Sequence, residues 1–375
     1  MNLKLLTKYR KDLHQIPEIA FDLFETQAYL RKELEKMGYT VETVAKSGLV
    51  AQRQGISKES IAFRSDMDAL PVNEMSGISY ASKNQGKMHA CGHDGHMAML
   101  LGLASYLSTI ELKKESIVFI FQPAEEGPGG ANVIIQEGIF EKYNIKNIFG
   151  IHLYPGLQEG IYGLANGPML AQNAEFTLKI TGQSAHGAQP HLGTDAILAA
   201  SSLMNQYHTI VSRFLDPLDT AVLTVGTIHA GEARNIIAKE ALITGTIRSF
   251  SDDVAKTIKR KMHDIDLGIC KAYDVIVENS IEDYYPPVVN PEPLFLMLRD
   301  SLKKEQFQII KPLMFAEDFA FYQKKVPGMF VLLGTKNEKK NFIHPLHSCY
   351  FNFDESILIK GVELYIHILQ TMKVI

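Results

Sequence analysis

Short apolar runs alternate with helical patterns over the first and last parts of the chain. The runs are rich in β-branched and aromatic residues and predict buried strands at Ser60–Arg64, Ser116–Gln122, Asn147–Leu153 and Met329–Leu333, with a further, alternating strand at Thr40–Val44. Apolar residues at helical spacing predict helices at Leu3–Met37, broken near Pro17, at Gly95–Leu107 and at Ala131–Glu137. This alternation predicts an α/β fold, with a mainly parallel sheet and helices on both faces.

The middle of the chain follows a different order. From Asn173 to Asp283 the pattern predicts strand, helix, strand, strand, helix, strand. Polar and apolar residues alternate in Glu175–Ile180, which is typical of a sheet with one exposed face. The order is that of a ferredoxin-like split βαβ domain. We therefore predict a first domain of residues 1–172 and 284–375, interrupted by an inserted α+β domain of residues 173–283.

Composition narrows the class of protein. The 375 residues carry a net charge of −4, and no basic stripe with interleaved aromatic residues indicates a nucleic-acid partner. The first residues become charged too early for a secretory signal, and no apolar run approaches bilayer length, so we expect a cytoplasmic protein without a membrane partner. The odd count of three cysteines favours reduced thiols over a disulfide framework.

The stretch Met88–His96 combines three histidines, one cysteine and one aspartate ahead of a predicted helix. Thiolate and imidazole are both good ligands for zinc and similar metals, and Gly92 between Cys91 and His93 allows both side chains to turn one way. The alternative is a polar turn in which Asp94 caps the helix. The stretch by itself leaves both interpretations open.

Adjacent carboxylates follow the predicted strand that ends at Gln122. Glu125 and Glu126 would be costly at an apolar strand exit unless a positive charge neutralises them. One could bind a metal ion while the other holds and deprotonates a water molecule. The alternative is a solvated loop with incidental acids.

Two further acids and three histidines complete the candidates. Asp66 and Asp68 follow another strand at i, i+2 spacing, so both point to one side if the chain stays extended; an Asx turn is the alternative. His152 lies near the end of a third strand. His344 and His347 lie near the end of the chain, where only the need for a further ligand distinguishes them from structural histidines.

Together these segments resemble the amidohydrolase branch of the aminoacylase and carboxypeptidase metallopeptidases. The resemblance covers nearly the whole chain and includes DLHQIPEIAF, FRSDMDALPV, MHACGHDGHMAMLLG, FQPAEEGPGGA, GQSAHGAQPHLGTDAI and HPLHSCYFNFDE. It implies a zinc-peptidase-like catalytic domain with an inserted lid that also forms the contact of a homodimer or tetramer. Many members of the branch have proline where this chain has Cys349, so we expect a local difference in the backbone there.

The resemblance also implies roles for particular residues. It implies a centre of two divalent metal ions, which would be zinc, manganese, cobalt or nickel, held by Cys91, His93, Glu126, His152 and His347. Glu125 matches the general base, and Asp66 and Asp68 match an acidic pair of the active site. In the inserted domain, His186, Asn235 and Arg248 match positions that hold substrate.

The activity implied is hydrolysis of the amide bond of a small N-acyl amino acid. Two substrate groups stay open, N-acetyl-LL-2,6-diaminopimelate and aromatic N-acyl amino acids such as hippurate, because the metal chemistry is shared and the substrate pockets decide specificity. A binding protein with a degenerate site and a metal-storage module are the alternatives from other classes. The first would lack a ligand or the glutamate base, whereas all of these positions are filled here.

Overall fold

The computed structural model describes residues 2–375, which form two compact units. Unit 1 holds the chain up to Gly167 together with Val289–Lys311 and Asp318–Ile375. Unit 2 holds Pro168–Val288 and Pro312–Glu317. The roles expected for them, catalytic domain and lid or dimer contact, stay predictions.

Helices and strands are numbered here in chain order. The helices are α1 Leu3–His14, α2 Phe24–Lys36, α3 His93–Leu107, α4 Gly130–Gln136, α5 Ile139–Lys142, α6 Ala196–Phe214, α7 Asp252–Tyr273, α8 Glu292–Ser301, α9 Phe319–Gln323 and α10 Ile357–Thr371. The strands are β1 Val41–Val44, β2 Gly48–Arg53, β3 Ser60–Asp66, β4 Ser116–Gln122, β5 Ile145–Gln158, β6 Tyr162–Leu164, β7 Gly167–Leu170, β8 Gln172–Thr181, β9 Ala221–Ala230, β10 Glu240–Ser249, β11 Ile276–Asp283, β12 Val288–Asn290, β13 Phe307–Ile309 and β14 Gly328–Lys336.

An eight-stranded sheet forms the centre of unit 1, in the order β1-β2-β4-β3-β5-β14-β6-β13. Its central strands β4, β3, β5 and β14 are all parallel, and antiparallel pairs occur where β2 meets β1 and β4 and where β6 meets β14. β3 and β4 are buried along their whole length, which explains why both are continuous apolar runs in the sequence. The predicted fold class, a mainly parallel α/β sheet, is confirmed.

Helices cover both faces of this sheet. The connection from β3 through α3 to β4 and the connection from β4 through α4 to β5 step across the sheet in opposite directions. Because such crossovers are right-handed, α3 and α4 lie on opposite faces. On the first face α3 contacts α1 and α10, and on the second α4 contacts α5 and α9.

Close packing around α3 depends on one glycine. A Cβ atom at Gly102 would lie 2.5 Å from Leu6 Cδ2 on α1 and 2.8 Å from Val362 Cγ2 on α10. Both distances are below van der Waals contact, so only glycine allows the three helices to approach this closely. Gly102 thereby lets α3 pack directly against α1 and α10.

Unit 2 is an antiparallel sheet with two helices, as the alternating pattern predicted. The strand order is β11-β8-β10-β9, and α6 and α7 contact each other and the sheet. Asp195 caps α6 by accepting the backbone N–H of Ile197 at 2.9 Å. In its core Tyr207 donates to Asp266, and Asn279 donates to both residues.

Several strands differ from the sequence prediction, and the short strands β6, β7, β12 and β13 were not predicted. β2 was not predicted, and it pairs with β1 and β4 as an antiparallel addition to the parallel core. The last strand of unit 2, predicted at Tyr273–Asn279, begins only at Ile276. The prediction was wrong there because α7 runs on to Tyr273 and Asp274 then ends it in a left-handed conformation, with φ of +51°.

Across residues 2–375, every helix falls short of the combined length and apolarity that crossing a bilayer requires.

Candidate metal centre

The candidate residues of unit 1 converge at the carboxyl ends of the parallel strands. Asp66 is the last residue of β3, Glu125 and Glu126 follow the end of β4, and His152 lies in β5. Helix α3 begins at His93 beside them. This is the edge at which open α/β sheets bind ligands.

One cluster of ligand atoms comes from Cys91, His93 and Glu126. Each residue offers one atom, and these atoms all lie within 4.8 Å of one another. The loop can present Cys91 and His93 together because Gly92 between them has a φ of +84°. A side chain at position 92 would be strained in that conformation, and its Cβ atom would lie 3.2 Å from Leu153 Cδ1.

His93 presents one ring nitrogen to this cluster without a hydrogen-bond partner. Its Nδ1 donates to the carbonyl oxygen of Asp68 at 2.8 Å, so Nε2 is the free position of the ring. Nε2 lies 3.7 Å from Asp66 Oδ2 and 3.9 Å from one oxygen each of Glu125 and Glu126. Within residues 2–375, neither His93 Nε2 nor Glu126 Oε1 has a hydrogen-bond partner, although both are buried. Such orphaned lone pairs surrounded by carboxylates fit a bound cation.

A second cluster contains Asp66, His93, His96 and His152, whose ligand atoms also lie within 4.8 Å of one another. His96 Nε2 accepts the backbone N–H of Leu153 at 2.9 Å, so Nδ1 carries the proton that His96 donates to Asp66 Oδ1 at 2.7 Å. Both nitrogens of His96 are therefore occupied.

His152 is oriented by the same residue of β5. Its Nδ1 donates to the carbonyl oxygen of Leu153 at 2.7 Å, which leaves Nε2 facing Cys91 Sγ at 3.5 Å. The main chain of Leu153 thus fixes the tautomers of His96 and His152. Of these two histidines, only His152 keeps a lone pair for a metal ion.

His347 reaches the cluster from the distant end of the chain. Its Nε2 lies 3.3 Å from Glu126 Oε1, and its backbone N–H donates to the carbonyl oxygen of Ala90 at 2.9 Å. The backbone of His347 has a φ of +65°, which is uncommon for a residue other than glycine. His344 instead lies beside Tyr350, with ring centroids 5.3 Å apart and ring planes inclined by 35°. Of the two histidines, the structure brings His347 to the site.

Asp68 fixes the turn that carries the two glutamates. Its Oδ1 accepts the backbone N–H of Glu125 and its Oδ2 accepts that of Glu126, both at 3.0 Å. The Asx turn considered from the sequence is not what forms, because these partners lie more than fifty residues away. Asp68 therefore positions the candidate base and the candidate ligand together.

A buried ionic network holds the carboxylate of Asp66 in place. Arg64 donates to Asp66 Oδ2 at 2.9 Å and to Asp318 Oδ1 at 2.8 Å, and its Nε donates to Gln122. Gln122 in turn donates to both oxygens of Asp318. Each charged group in this network is paired, which is the condition for burying such groups.

The electrostatics of the clusters favour a cation. Burial raises the pKa of the Cys91 thiol, and the neighbouring glutamates raise it further. Burial lowers the pKa of His152 well below its ordinary value, so its ring is neutral. Burial alone would lower the pKa of His93, but the surrounding carboxylates, led by Asp66, raise it to about 10. The carboxylates therefore favour a positive charge at His93 Nε2, which a proton or a metal ion supplies.

Asp94 does not cap helix α3, so that interpretation of the Met88–His96 stretch was wrong. Gly92 occupies the N-cap position, and Asp94 Oδ2 accepts from Arg10 Nε at 3.1 Å and from His14 Nδ1 at 2.9 Å. Burial opposes a charge on His14, but its hydrogen bonds to Asp94 and Glu74 outweigh burial and raise its pKa to about 9.

Sequence reasoning assigned no role to several residues of the site. His96 lies three positions after His93 on α3, and this spacing places both on one helix face, so a signal was present. Arg10 and Asp318 carried no signal that links them to the site, because each lies far along the chain from the residues that it binds. Arg64 lies two positions before Asp66, but nothing in the sequence shows that it also binds Asp318.

The three candidate substrate residues lie in unit 2. The segments of His186 and Asn235 run side by side, because the carbonyl oxygen of Asn235 accepts the N–H of Gly187 at 2.8 Å. Arg248 lies on β10, paired with Asn173 on β8. The structure therefore brings His186 and Asn235 together within unit 2, and their contact with substrate stays a prediction.

Comparison with known proteins identifies the family. The sequence profile of peptidase family M20/M25/M40 matches residues 62–371. An uncharacterized hydrolase of Staphylococcus epidermidis is 36% identical over 378 residues, covering 99% of both chains. A similar hydrolase of Staphylococcus aureus is 35% identical over the same share. The chain belongs to peptidase family M20/M25/M40, a family of hydrolases.

Solved structures agree with this assignment. A dinuclear metal-binding peptidase of family M20 from Bacillus subtilis is 31% identical, with a TM-score of 0.86 over 99% of this chain and 98% of that one. A proposed aminohydrolase from methicillin-resistant Staphylococcus aureus is also 31% identical, with a TM-score of 0.92 over 100% of this chain and 97% of that one.

Proposed function

We propose that this chain is an amidohydrolase that uses two divalent metal ions to remove the acyl group from a small N-acyl amino acid. The observation that carries the proposal is the convergence of ligand atoms on His93 Nε2 and Glu126 Oε1, two buried atoms that have no hydrogen-bond partner within residues 2–375. Family membership and the dinuclear relative from Bacillus subtilis support the count of two ions.

Five residues would hold the ions, namely Cys91, His93, Glu126, His152 and His347. The mixture of thiolate, imidazole and carboxylate ligands suits zinc, manganese, cobalt or nickel. The geometry supports this set, because the ligand atoms of the first three lie together, His152 Nε2 faces the sulfur of Cys91, and His347 Nε2 lies 3.3 Å from Glu126.

When bound, divalent ions polarise the substrate carbonyl and lower the pKa of water at the site. Glu125 would take a proton from that water and pass it to the departing amine. Its carboxylate lies within 3.9 Å of His93 Nε2, and its backbone N–H is held by Asp68. Asp66 would hold the ring of His96 in place beside the ligands.

Unit 2 would supply the contacts to substrate. His186 would donate to the oxyanion, a role that changes rate by about two to three orders of magnitude in hydrolases. Arg248 or another cation of unit 2 would bind the substrate carboxylate through paired hydrogen bonds, and Asn235 would help to hold the substrate. The same unit would join two copies of the chain into a dimer.

The substrate we favour is N-acetyl-LL-2,6-diaminopimelate, hydrolysed to acetate and LL-diaminopimelate for lysine biosynthesis. The stretches TIVSRFLDPLDTAVLTVGTI and NIIAKEALITGTIRSF support it, since they resemble the deacetylase of that substrate.

An aromatic N-acyl amino acid is the second candidate, and one feature of unit 1 favours it. Ile343 and Tyr350 are exposed apolar residues on either side of His347 in the sequence, and Met75 is exposed in a distant loop that contacts this segment. Tyr350 contacts Met75, and the backbone N–H of Met75 donates to the carbonyl oxygen of Cys349 at 2.8 Å. Exposed apolar side chains beside a metal centre would suit an aromatic substituent.

A substrate panel separates the two candidates. Purified protein loaded with Zn²⁺, Mn²⁺, Co²⁺ or Ni²⁺ is given acetyl-diaminopimelate, hippurate and simple N-acetyl amino acids, and release of the free amine is measured. We expect the highest kcat/KM for acetyl-diaminopimelate. A preference for hippurate would support the aromatic alternative, and no hydrolysis of any amide would refute the proposed activity.

Replacement of the candidate base tests the mechanism directly. Glu125→Gln keeps the shape of the side chain but removes proton transfer, so we expect kcat to fall by about 10²–10⁴-fold with metal content unchanged. Glu137→Gln is the matched control, because Glu137 accepts the N–H of Ala45 outside the clusters. Near-normal kcat in Glu125→Gln would show that another residue is the base.

A further inference from the structure

A buried ionic network lies next to the candidate metal centre and is not used by the proposed chemistry. Arg10 on α1 is 1% exposed and Asp94 on α3 is fully buried, and they are joined by a hydrogen bond of 3.1 Å. Asp94 follows His93 directly in the first turn of α3. A pair of this kind is costly to bury, so it needs a structural reason.

The guanidinium of Arg10 connects two distant parts of the chain. While Nε binds Asp94, Nη1 donates to the carbonyl oxygen of Phe353 at 2.9 Å and Nη2 donates to Asn352 Oδ1 at 2.5 Å. The guanidinium also stacks on the ring of Phe353, 3.6 Å from its centroid. Three acceptors in three directions fit a planar guanidinium, whereas a lysine ammonium could serve only one side.

The two parts that Arg10 connects carry different candidate ligands. Asp94 belongs to the helix start that carries His93, and Asn352 lies five residues after His347. A backbone hydrogen bond from His347 N to the carbonyl oxygen of Ala90 joins these segments, and the rings of Phe351 and Phe353 pack beside Gly92 and Gly95. Arg10 adds a second polar connection, which is directional where the packing of the rings is not.

A second residue of α1, His14, connects the helix to the loop that precedes Cys91. His14 binds Asp94 through Nδ1 at 2.9 Å and Glu74 through Nε2 at 3.1 Å. Glu74 in turn accepts the backbone N–H of Ser82 at 2.6 Å. One face of α1 therefore holds the incoming loop, the start of α3 and the segment after His347.

We propose that Arg10 is a positioning residue of the metal centre, which holds the loop of Cys91 and His93 and the loop of His347 at coordinating distance from each other before a metal ion binds. This inference rests on the proposed two-metal function. Residues that orient metal ligands typically change metal affinity by about 10–100-fold when they are replaced.

Four variants of the full chain test this. Arg10→Lys keeps the charge but loses the planar fork. Asn352→Ala removes one of the two hydrogen bonds from Arg10 to the distal segment and leaves the bond to the carbonyl oxygen of Phe353 in place. Asn352→Asp restores an acceptor oxygen for Arg10 and serves as the rescue. Tyr207→Phe removes a buried hydrogen bond to Asp266 in unit 2, and it is the control for a general loss of stability.

The measurement is Zn²⁺ affinity, by competition with a chromophoric chelator, supplemented by the sulfur-to-metal absorption band after loading with Co²⁺. We expect Arg10→Lys and Asn352→Ala to bind Zn²⁺ about 10–100-fold more weakly than the wild type, with a changed absorption band. Asn352→Asp should lie within about threefold of wild type, and Tyr207→Phe should match it. If Arg10→Lys does not fold, the pair Asn352→Ala and Asn352→Asp decides the question.

The outcomes separate this inference from the function on which it rests. If the wild type binds two ions and both Arg10→Lys and Asn352→Ala bind them as tightly, Arg10 is not a positioning residue and the two-metal proposal stands. Equal losses in Tyr207→Phe would also overturn the inference, because they would reflect stability alone. If the wild type binds no Zn²⁺, the two-metal proposal itself fails.

Discussion

Gly92 offers a sharp test of how the loop geometry controls metal binding. It has a φ of +84° and caps α3 between the candidate ligands Cys91 and His93. Gly138 provides a matched position, because it also caps a helix of unit 1 with a left-handed φ, of +77°. A Cβ atom at Gly138 would meet nothing within 4 Å, whereas one at Gly92 would lie 3.2 Å from Leu153 Cδ1.

The two alanine variants should therefore differ by a defined amount. Each substitution lowers the free energy of unfolding by about 1–2 kcal/mol, because a residue other than glycine is strained in the left-handed conformation. Gly92→Ala should lower the free energy of unfolding by about 1–3 kcal/mol more, because of the crowded contact with Leu153, unless the loop changes conformation. If the loop relaxes in the metal-free protein, metal binding must restore it, and a cost of about 1.4–2.8 kcal/mol corresponds to 10–100-fold weaker binding.

Zn²⁺ affinity by chelator competition and stability of the metal-free protein in urea provide the assay. We expect Gly92→Ala to bind Zn²⁺ about 10–100-fold more weakly and Gly138→Ala to bind it normally despite its stability loss. Normal affinity in Gly92→Ala, or an equal loss in Gly138→Ala, would refute the idea that this loop conformation sets the spacing of the ligands.

Three further outcomes follow from contacts in unit 1. Asp68→Asn leaves one side-chain oxygen to accept the backbone N–H groups of both Glu125 and Glu126, so kcat should fall about 100-fold with metal content retained. A kcat within threefold of wild type would contradict the positioning role of Asp68. The pKa of His14 is raised to about 9, so its charge stabilises the fold fully below pH 6.5 and this contribution is lost as the pH rises through 9. At about 1.36 kcal/mol per pKa unit, the free energy of unfolding in urea should fall by up to about 3 kcal/mol over that range, and His14→Gln should remove the slope. Gly102→Ala should destabilise the protein by about 1–2 kcal/mol and leave kcat unchanged. The reason is that the close contacts with Leu6 and Val362 outweigh the gain in helix propensity. Greater stability of this variant would contradict the packing argument.

The parallel core could be predicted from sequence because burial on both faces leaves an unmistakable pattern. β3 and β4 are buried at every position, and their apolar runs stand out from the polar segments around them. β2 was missed because its GLVAQR sequence is short and mixed, and its place depends on pairing with β4. The start of β11 was misplaced because helix and strand propensities do not decide where α7 ends.

The candidate ligands could be predicted for a different reason. Cys91 and His93 lie close together in sequence, and metal-binding residue types in such density are rare in a soluble domain. The residues that support them were not predictable, because Arg10 and Asp94 are 84 positions apart and Arg64 and Asp318 are 254 apart. Only the fold shows that these charges are buried together.

The main chain of Leu153 has a consequence for how the centre tolerates change. Its N–H and carbonyl groups, which cannot titrate, assign the ring protons of His96 and His152. The proton positions on these two rings are therefore set in part by main-chain groups of β5. A substitution of Leu153 would change the packing beside Gly92 and Gly95 and leave these two main-chain hydrogen bonds in place.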